Sequence, residues 1–278
     1  METLTQSTGK EKFVYQMQLK NFTSQTQKNY LWHLERFMAF VSQPPARYSS
    51  QLVNSYLITI KDKGDSFRNQ SINAIRFFFT YVLNREIKDW LVIRPKKSFT
   101  QPILLSEDEI KSMLSVCDNL KHKAIIYLIL SAGLRVSEIV NLKIKDVDSK
   151  LMVLRIKKAK GRKDRTCRLD IKCLDVLRQY FKKYRPEDYL FNGQKSLQYT
   201  SRSIEEFVKQ YALKAGIKKR VYPHLLRHQQ ITSLLESGND ILATQLHSGH
   251  QKIATTANYI HLSPKFISQM HSPVAYLP

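Results

Sequence analysis

The chain has 278 residues, with 45 Lys and Arg against 23 Asp and Glu and a formal net charge of +22. A surplus of that size disfavours an enzyme that draws in cationic or apolar small substrates and points to a polyanionic partner. Hydrophobic residues at 42%, aromatics at 10%, and only 8 Gly and 9 Pro describe a folded, helix-rich chain of one large or two medium domains.

The first elements read as helices. A short one is predicted over Lys12 to Lys20, and a second over Tyr30, Leu34, Phe37, Met38 and Val41, which recur at helical spacing. Pro44 and Pro45 end it, Leu52, Val53, Tyr56, Leu57 and Ile60 repeat the pattern up to Gly64, and Ile72, Ile75, Phe79 and Val82 mark a fourth helix. The stretch Ile93 to Pro102 has two prolines, three basic residues and no apolar periodicity, so it reads as a linker. This gives an N-terminal helical domain over 1–92, a linker over 93–102 and a second domain over 103–278.

The second domain opens on Ser106-Glu-Asp-Glu109, a capping box for a helix running to about Val116. Ala124 to Ser131 is apolar on all sides, as in a helix at the centre of a domain, and Ala132-Gly133 breaks it before Arg135. Leu151 to Lys157 and Asp164 to Leu169 alternate, with Lys160-Gly161 between them, predicting a β-hairpin with a basic tip. Further helices are expected over Lys172 to Tyr184, Ser203 to Ala215 and Pro223 to Ser237, followed by short ones around Ile241 to Leu246 and Thr255 to Leu262.

Charge is spread over both parts, +8 in residues 1–97 and +14 in residues 98–278, and it is densest from Arg155 to Arg168. No single basic amphipathic helix stands out, which favours nucleic acid over a membrane surface. The longest apolar run, Ala124 to Leu130, falls short of the ~18 residues of a membrane span, and a cytoplasmic, nucleoid-associated protein is expected. Cys117, Cys167 and Cys173 have no CxxC spacing and are expected to be packing residues in a reducing compartment.

Six polar residues stand in largely apolar helical settings: Arg135, Lys160, His224, Arg227, His250 and Tyr259. Each alone has an ordinary structural explanation. Together, two arginines, a lysine, two histidines and a tyrosine without a matched carboxylate pair suit a phosphodiester better than a sugar or a metal. Arginine forks match the non-bridging oxygens of a phosphate, and their charge can stand in for a metal ion in the transition state. A tyrosine hydroxyl can attack phosphorus while a lysine or histidine protonates the departing oxygen. A zinc site built from His228, His247 and His250 lacks a carboxylate or cysteine in register, so no metal is expected.

The motif order Ala132-Gly-Leu-Arg-Val-Ser-Glu138, Lys160-Gly161, His224-Leu-Leu-Arg227, Gly249-His250 and Tyr259 resembles the tyrosine recombinase, or phage-integrase, family over about residues 10–265. The resemblance implies a mainly α fold with a small β-hairpin, made of a four-helix SAM-like core-DNA-binding domain and a catalytic domain. It implies Tyr259 as the nucleophile of a 3′-phosphotyrosyl link, Arg135 and Arg227 as the clamp on the scissile phosphate, and His250 as a further donor. Lys160 would protonate the 5′-oxygen, His224 would assist proton transfer at the tyrosine, and Glu138 would orient Arg135.

Lys96, Lys97, Arg155, Lys158, Arg162 and Lys163 are then candidate DNA contacts. The implied assembly is a C-shaped clamp on double-stranded DNA, four protomers on two sites, with a tail from Ser263 docking Phe266, Ile267 and Met270 on a neighbour. Accessory DNA-bending or directionality proteins are possible partners. Two local patterns depart from the family: His228-Gln-Gln-Ile-Thr232 after the second arginine, and Ser248 where leucine is usual. With about ten residues before the first helix, no extra arm-binding domain is expected, and an integrase of a mobile element is the favoured reading. The alternatives are Xer-type chromosome dimer resolution, a type IB topoisomerase, and an architectural DNA-binding protein without turnover.

Overall fold

The computed structural model describes residues 5–86, 103–157, 164–193, 197–257 and 259. The chain divides into two compact units, Met1–Phe99 and Thr100–Pro278. The expected linker over 93–102, with Lys96 and Lys97, lies outside the described residues.

The first unit is built from α1 (Gln6–Leu19), α2 (Ser24–Val41), α3 (Ser50–Thr59) and α4 (Asp65–Tyr81). Thr5, Thr23 and Ser49 cap the first three through side-chain oxygens, satisfying backbone N–H groups that would otherwise be unpaired. Helix α1 starts six residues before the expected Lys12, because Thr5 and Thr8 cap each other and Gly9 is tolerated inside the helix. Gly9 is buried in α1 beside the Phe78 ring, which lies 3.4 Å from where a Cβ would sit, an ordinary van der Waals contact. Gly64 also behaves differently from expectation: α3 stops at Thr59, and Gly64 is the N-cap of α4, followed by Asp65 in the first turn. Glycine suits both ends of a helix, and position alone does not separate the two uses. The core joins Phe13, Leu34, Phe37, Tyr56, Ile75 and Phe78, with rings meeting edge to face, such as Phe13 on Phe77 at 5.4 Å.

The second unit holds α5 (Glu107–Ser115), α6 (Leu120–Ala132), α7 (Val136–Val140), α8 (Ile171–Tyr184), α9 (Ser201–Lys214), α10 (Pro223–Glu236), α11 (Ile241–Ser248) and α12 (Ile253–Ala257). The capping box is formed as read: Ser106 Oγ accepts from the Glu109 N–H, and Glu109 Oε2 accepts from the Ser106 N–H at 2.7 Å. Helix α6 is the central rod, with Ala124, Ile125, Ile126, Leu128 and Ile129 fully buried, and it packs on α8, α9 and α10. The expected hairpin is present as β2 (Val153–Ile156) antiparallel to β3 (Arg165–Arg168), with Ile156 paired to Arg165. A third strand, β1 (Val147–Asp148), adds to β2. Two residues are too short to leave a period in the sequence. The three cysteines are free and buried.

His122 at the start of α6 ties it to α9. Its ring stacks on Phe207 at 4.0 Å, Nδ1 lies 3.1 Å from the Tyr211 hydroxyl, and Nε2 lies 3.0 Å from the Tyr199 hydroxyl. Tyr211 spends its proton on Asp118 Oδ1 at 2.9 Å, so Nδ1–H donates to Tyr211 and Nε2 accepts from Tyr199. Burial, then the Lys121 charge, pushes the His122 pKa down to about 4. A depressed histidine pKa means that the unfolded chain binds a proton between pH 6.5 and 4 while the folded chain does not. Stability is therefore fully present above pH 6.5 and falls on acidification, by up to about 1.4 kcal/mol per pH unit for this group. In denaturant titrations across that range, His122→Asn should flatten the pH dependence relative to the parent; an unchanged slope would contradict the assignment.

Candidate active site

Pro223 at the first position of α10 places His224 and Arg227 one turn apart near the helix start. Arg227 is almost fully buried, with 1% of its surface exposed. Its Nη1 donates to the Gly133 carbonyl and its Nη2 to the Ser248 carbonyl. Both acceptors lie at helix C-termini: Gly133 ends α6 and Gly249 ends α11, each in the left-handed conformation. Arg227 thus uses the carbonyls that helix ends leave free. Burial, then the charge of Arg135, lowers its pKa to about 10, so it remains a cation at neutral pH. Its Nε is buried without a protein partner.

Arg135 is the N-cap of α7 and converges on the same turn. Its Nη2 donates to the Gly249 carbonyl at 3.0 Å, next in the chain to the carbonyl held by Arg227. Its Nη1 donates to Glu138 Oε1 at 2.8 Å, while its backbone N–H donates to Glu138 Oε2 at 2.8 Å. Burial alone would raise the Glu138 pKa, but hydrogen bonds and charge from Arg165, joined by Arg135, hold it at about 2. The carboxylate is ionised throughout the useful pH range. A cation at a helix N-terminus opposes the helix dipole. Here Glu138 in the first turn of α7 compensates it.

His250 follows Gly249 directly, and its Nδ1 lies 2.9 Å from Thr256 Oγ1 on α12. Tyr259, 5% exposed, packs with Ile231, Leu235 and Ile241, and its ring stacks on His250 at 5.8 Å with planes 21° apart. The ring on its other contact is His228, at 5.1 Å, and His228 in turn meets His224 at 4.3 Å. Burial, then neighbouring positive charge, lowers His250 to about 3, and burial followed by the neighbouring His224 and Arg227 lowers His228 to about 4. His224 is lowered in the same way by partial burial, then by Arg227 and Arg135. All three imidazoles are uncharged at neutral pH. Burial raises the Tyr259 hydroxyl to about 12 against the opposing pull of Arg227 and Arg135.

Five of the six chemically singled-out residues are therefore assembled in one unit. Lys160 lies outside the described residues, as do Lys158, Arg162 and Lys163. Arg155 is on the solvent face of β2, where its Nη2 donates to Asp148 Oδ2 at 2.6 Å. An open groove of about 630 Å³ beside Arg135 is lined by Lys143, Lys145, Arg155 and Lys157. Of these, Lys143 and Lys145 escaped the sequence reading because they stand apart from the dense basic run. His228, weighed in the sequence only as a departure from a pattern and as a member of a rejected zinc site, occupies the place between His224 and Tyr259. Its spacing of four from His224 was the available signal.

Two glycines are fixed by geometry. A Cβ at Gly249 (φ +65°) would lie 2.8 Å from Arg165 Cδ, and one at Gly133 (φ +60°) would lie 2.3 Å from Gln230 Oε1. Gly249→Ala carries about 1–2 kcal/mol of left-handed backbone strain and displaces the guanidinium beneath it. Thermal melting should show that loss, and DNA cleavage should fall by more than the melting shift explains. Wild-type melting and cleavage would refute the geometry.

What this arrangement offers is an anion site with uncharged bases beside a tyrosine. Arg135, Arg165 and Arg227 face a single carboxylate, Glu138, which leaves net positive charge where Arg135 and Arg227 meet. Among the described residues, no group of three His, Cys, Asp or Glu is placed to hold a metal ion. No helix among them is long and apolar enough to cross a membrane.

The phage integrase family model matches residues 104–265, and the model of the phage integrase N-terminal SAM-like domain matches residues 10–89. The chain belongs to the phage integrase family. It is similar to an integrase/recombinase of Sinorhizobium fredii, 35% identical over 288 residues that take in 100% of this chain and 92% of that protein. It is also 32% identical to the tyrosine recombinase XerA of Pyrococcus horikoshii, over 96% of this chain and 94% of the relative. A crystal structure of XerA recombinase matches 98% of this chain and 99% of that one with 28% identity and a TM-score of 0.57. A λ integrase dimer bound to a core site shares the fold, with a TM-score of 0.76, 14% identity and coverage of 92% and 95%. As a phage-integrase-family enzyme, the protein is a tyrosine recombinase that breaks and rejoins DNA strands, on a mainly helical fold with a small antiparallel sheet.

Proposed function

We propose that Tyr259 of this recombinase attacks a scissile phosphate in double-stranded DNA held by Arg135 and Arg227. The observation that carries this reading is the convergence of the two arginines on the consecutive carbonyls of Ser248 and Gly249, with Tyr259 stacked on the next residue, His250. The tyrosine oxygen forms a bond to phosphorus, the bond from phosphorus to the 5′-oxygen breaks, and the product is a 3′-phosphotyrosine ester with a free 5′-hydroxyl. The proton leaving Tyr259 passes to the uncharged imidazoles of His224 and His228, and Lys160 supplies the proton taken up by the 5′-oxygen. His250 adds a donor to the phosphate, and Glu138 orients Arg135. Because the ester retains the energy of the bond, rejoining is the reverse reaction and needs no cofactor.

The helices of residues 1–92 and the basic groove beside Arg135 would hold the duplex, with Arg155, Lys158, Arg162, Lys163 and the linker residues Lys96 and Lys97 on the backbone. Four protomers on two sites, joined through the tail from Ser263, would perform the exchange in the cytoplasm, at the nucleoid. The Sinorhizobium integrase/recombinase matches across the whole chain, which favours integration or excision of a mobile element. The similarity to XerA gives the alternative, resolution of chromosome dimers. Accessory bending or directionality proteins would set the outcome.

The test is incubation with a nicked suicide duplex carrying the candidate site from the DNA flanking the gene. A denaturation-resistant protein–DNA adduct is expected. Tight, site-selective binding without an adduct would instead support an architectural protein. Binding should weaken with salt at a log–log slope of about −6 or steeper, corresponding to roughly six or more neutralised phosphates. A slope shallower than about −3 would contradict the extended DNA contact.

A further inference from the structure

Arg165 has no part in the chemistry assigned above, yet it is among the most heavily engaged side chains of the site. It is the first residue of β3, and its side chain is 8% exposed. Nη1 donates to Glu138 Oε1 at 2.7 Å and Nη2 to Glu138 Oε2 at 2.8 Å, a bidentate fork, while Nε donates to the His247 carbonyl at 3.0 Å. One guanidinium therefore joins the base of the hairpin, the first turn of α7 and the C-terminus of α11. Gly249, whose missing Cβ leaves room for it, belongs to the same turn that receives Arg135 and Arg227.

A buried carboxylate needs its charge matched and its oxygens satisfied. Arg165 occupies one direction on each Glu138 oxygen, and Arg135 adds only Nη1 on one oxygen and its backbone N–H on the other. Without Arg165, the ionised Glu138 would have Arg135 as its sole guanidinium. The bidentate geometry that carboxylates and arginines prefer would then draw the whole Arg135 fork inward. Building on the catalytic assignment of Arg135, we infer that Arg165 is a positioning residue that saturates Glu138 and so leaves Arg135 donors and charge to spend on the scissile phosphate. Arg165 also starts the strand after the segment that carries Lys160, which ties the base of that strand to the same carboxylate.

The test uses single-turnover adduct formation by the full-length protein on the nicked duplex, with Arg165→Ala and Arg165→Lys. Supporting groups of this kind are worth about 10–100-fold, so Arg165→Ala should slow adduct formation by that factor with DNA affinity within threefold. Arg165→Lys keeps the charge but satisfies one oxygen at a time and should fall between the two; it also serves if the alanine variant fails to fold. The decisive comparison is a duplex whose scissile phosphate is a methylphosphonate, in which a methyl group replaces one charged oxygen. Because neutral phosphorus relies far less on Arg135, the defect of both variants should shrink several-fold there, whereas a general loosening of the fold would slow both substrates alike. Equal defects on the two substrates, or wild-type rates on the ordinary one, would overturn the inference. If the wild-type protein forms no adduct, it is the catalytic assignment that fails, and the two failures are distinguishable.

Discussion

Tyr259→Phe should bind its DNA site within about threefold of wild type and form no denaturation-resistant adduct. Phenylalanine preserves the stacking on His250 and the contact with His228, and it fits the apolar nook of Ile231, Leu235 and Ile241. What it removes is the oxygen that would bond to phosphorus. With the hydroxyl raised to about 12, the tyrosine holds its proton at pH 7, and transferring it costs about 7 kcal/mol at ~1.36 kcal/mol per pH unit. Because the neighbouring His228 imidazole is itself lowered to about 4, it would accept that proton only as the bond to phosphorus forms and the phenolic oxygen loses its basicity. Covalent capture on the suicide duplex measures the effect. A variant that still forms adduct would show that another side chain is the nucleophile.

Arg227→Ala is expected to be the most damaging of the phosphate-site substitutions. Loss of one oxyanion donor typically costs ~2.7–4 kcal/mol, or about 10²–10³ in rate, and Arg227 carries structure as well. It is 1% exposed and bonds the Gly133 and Ser248 carbonyls, so truncation leaves two buried acceptors unpaired at about 1–3 kcal/mol each. Cleavage and melting temperature should both drop. Arg227→Lys separates the roles: it retains a cation but cannot span both carbonyls, so cleavage should remain at least about 10²-fold down while stability partly recovers. Cleavage by Arg227→Lys at near wild-type rate would mean that charge alone suffices and that the fixed fork is irrelevant.

Much of the second unit could be read from the chain because its signals are local. The Ser106–Glu109 capping box, the apolar faces of α6 and Pro223 at the start of α10 each act within one turn of helix. The six-residue constellation was legible from its order, and five members meet in space. Less legible were features that depend on distant partners. Gly64 serves α4 instead of α3. Arg165 was absorbed into a basic run although the period of β3 places it on the same face as buried Cys167; only the arrival of Glu138 and the α11 terminus makes an inward arginine tolerable. His228 is similar, since its significance comes from Tyr259, 31 positions further along the chain.

The most direct test of the central claim is to digest the trapped protein–DNA adduct and locate the modified peptide by mass spectrometry. The account predicts a nucleotide attached through its 3′-phosphate to Tyr259, with a 5′-hydroxyl on the released strand. A nucleotide on any other residue, or a 5′-phosphate linkage, would contradict it.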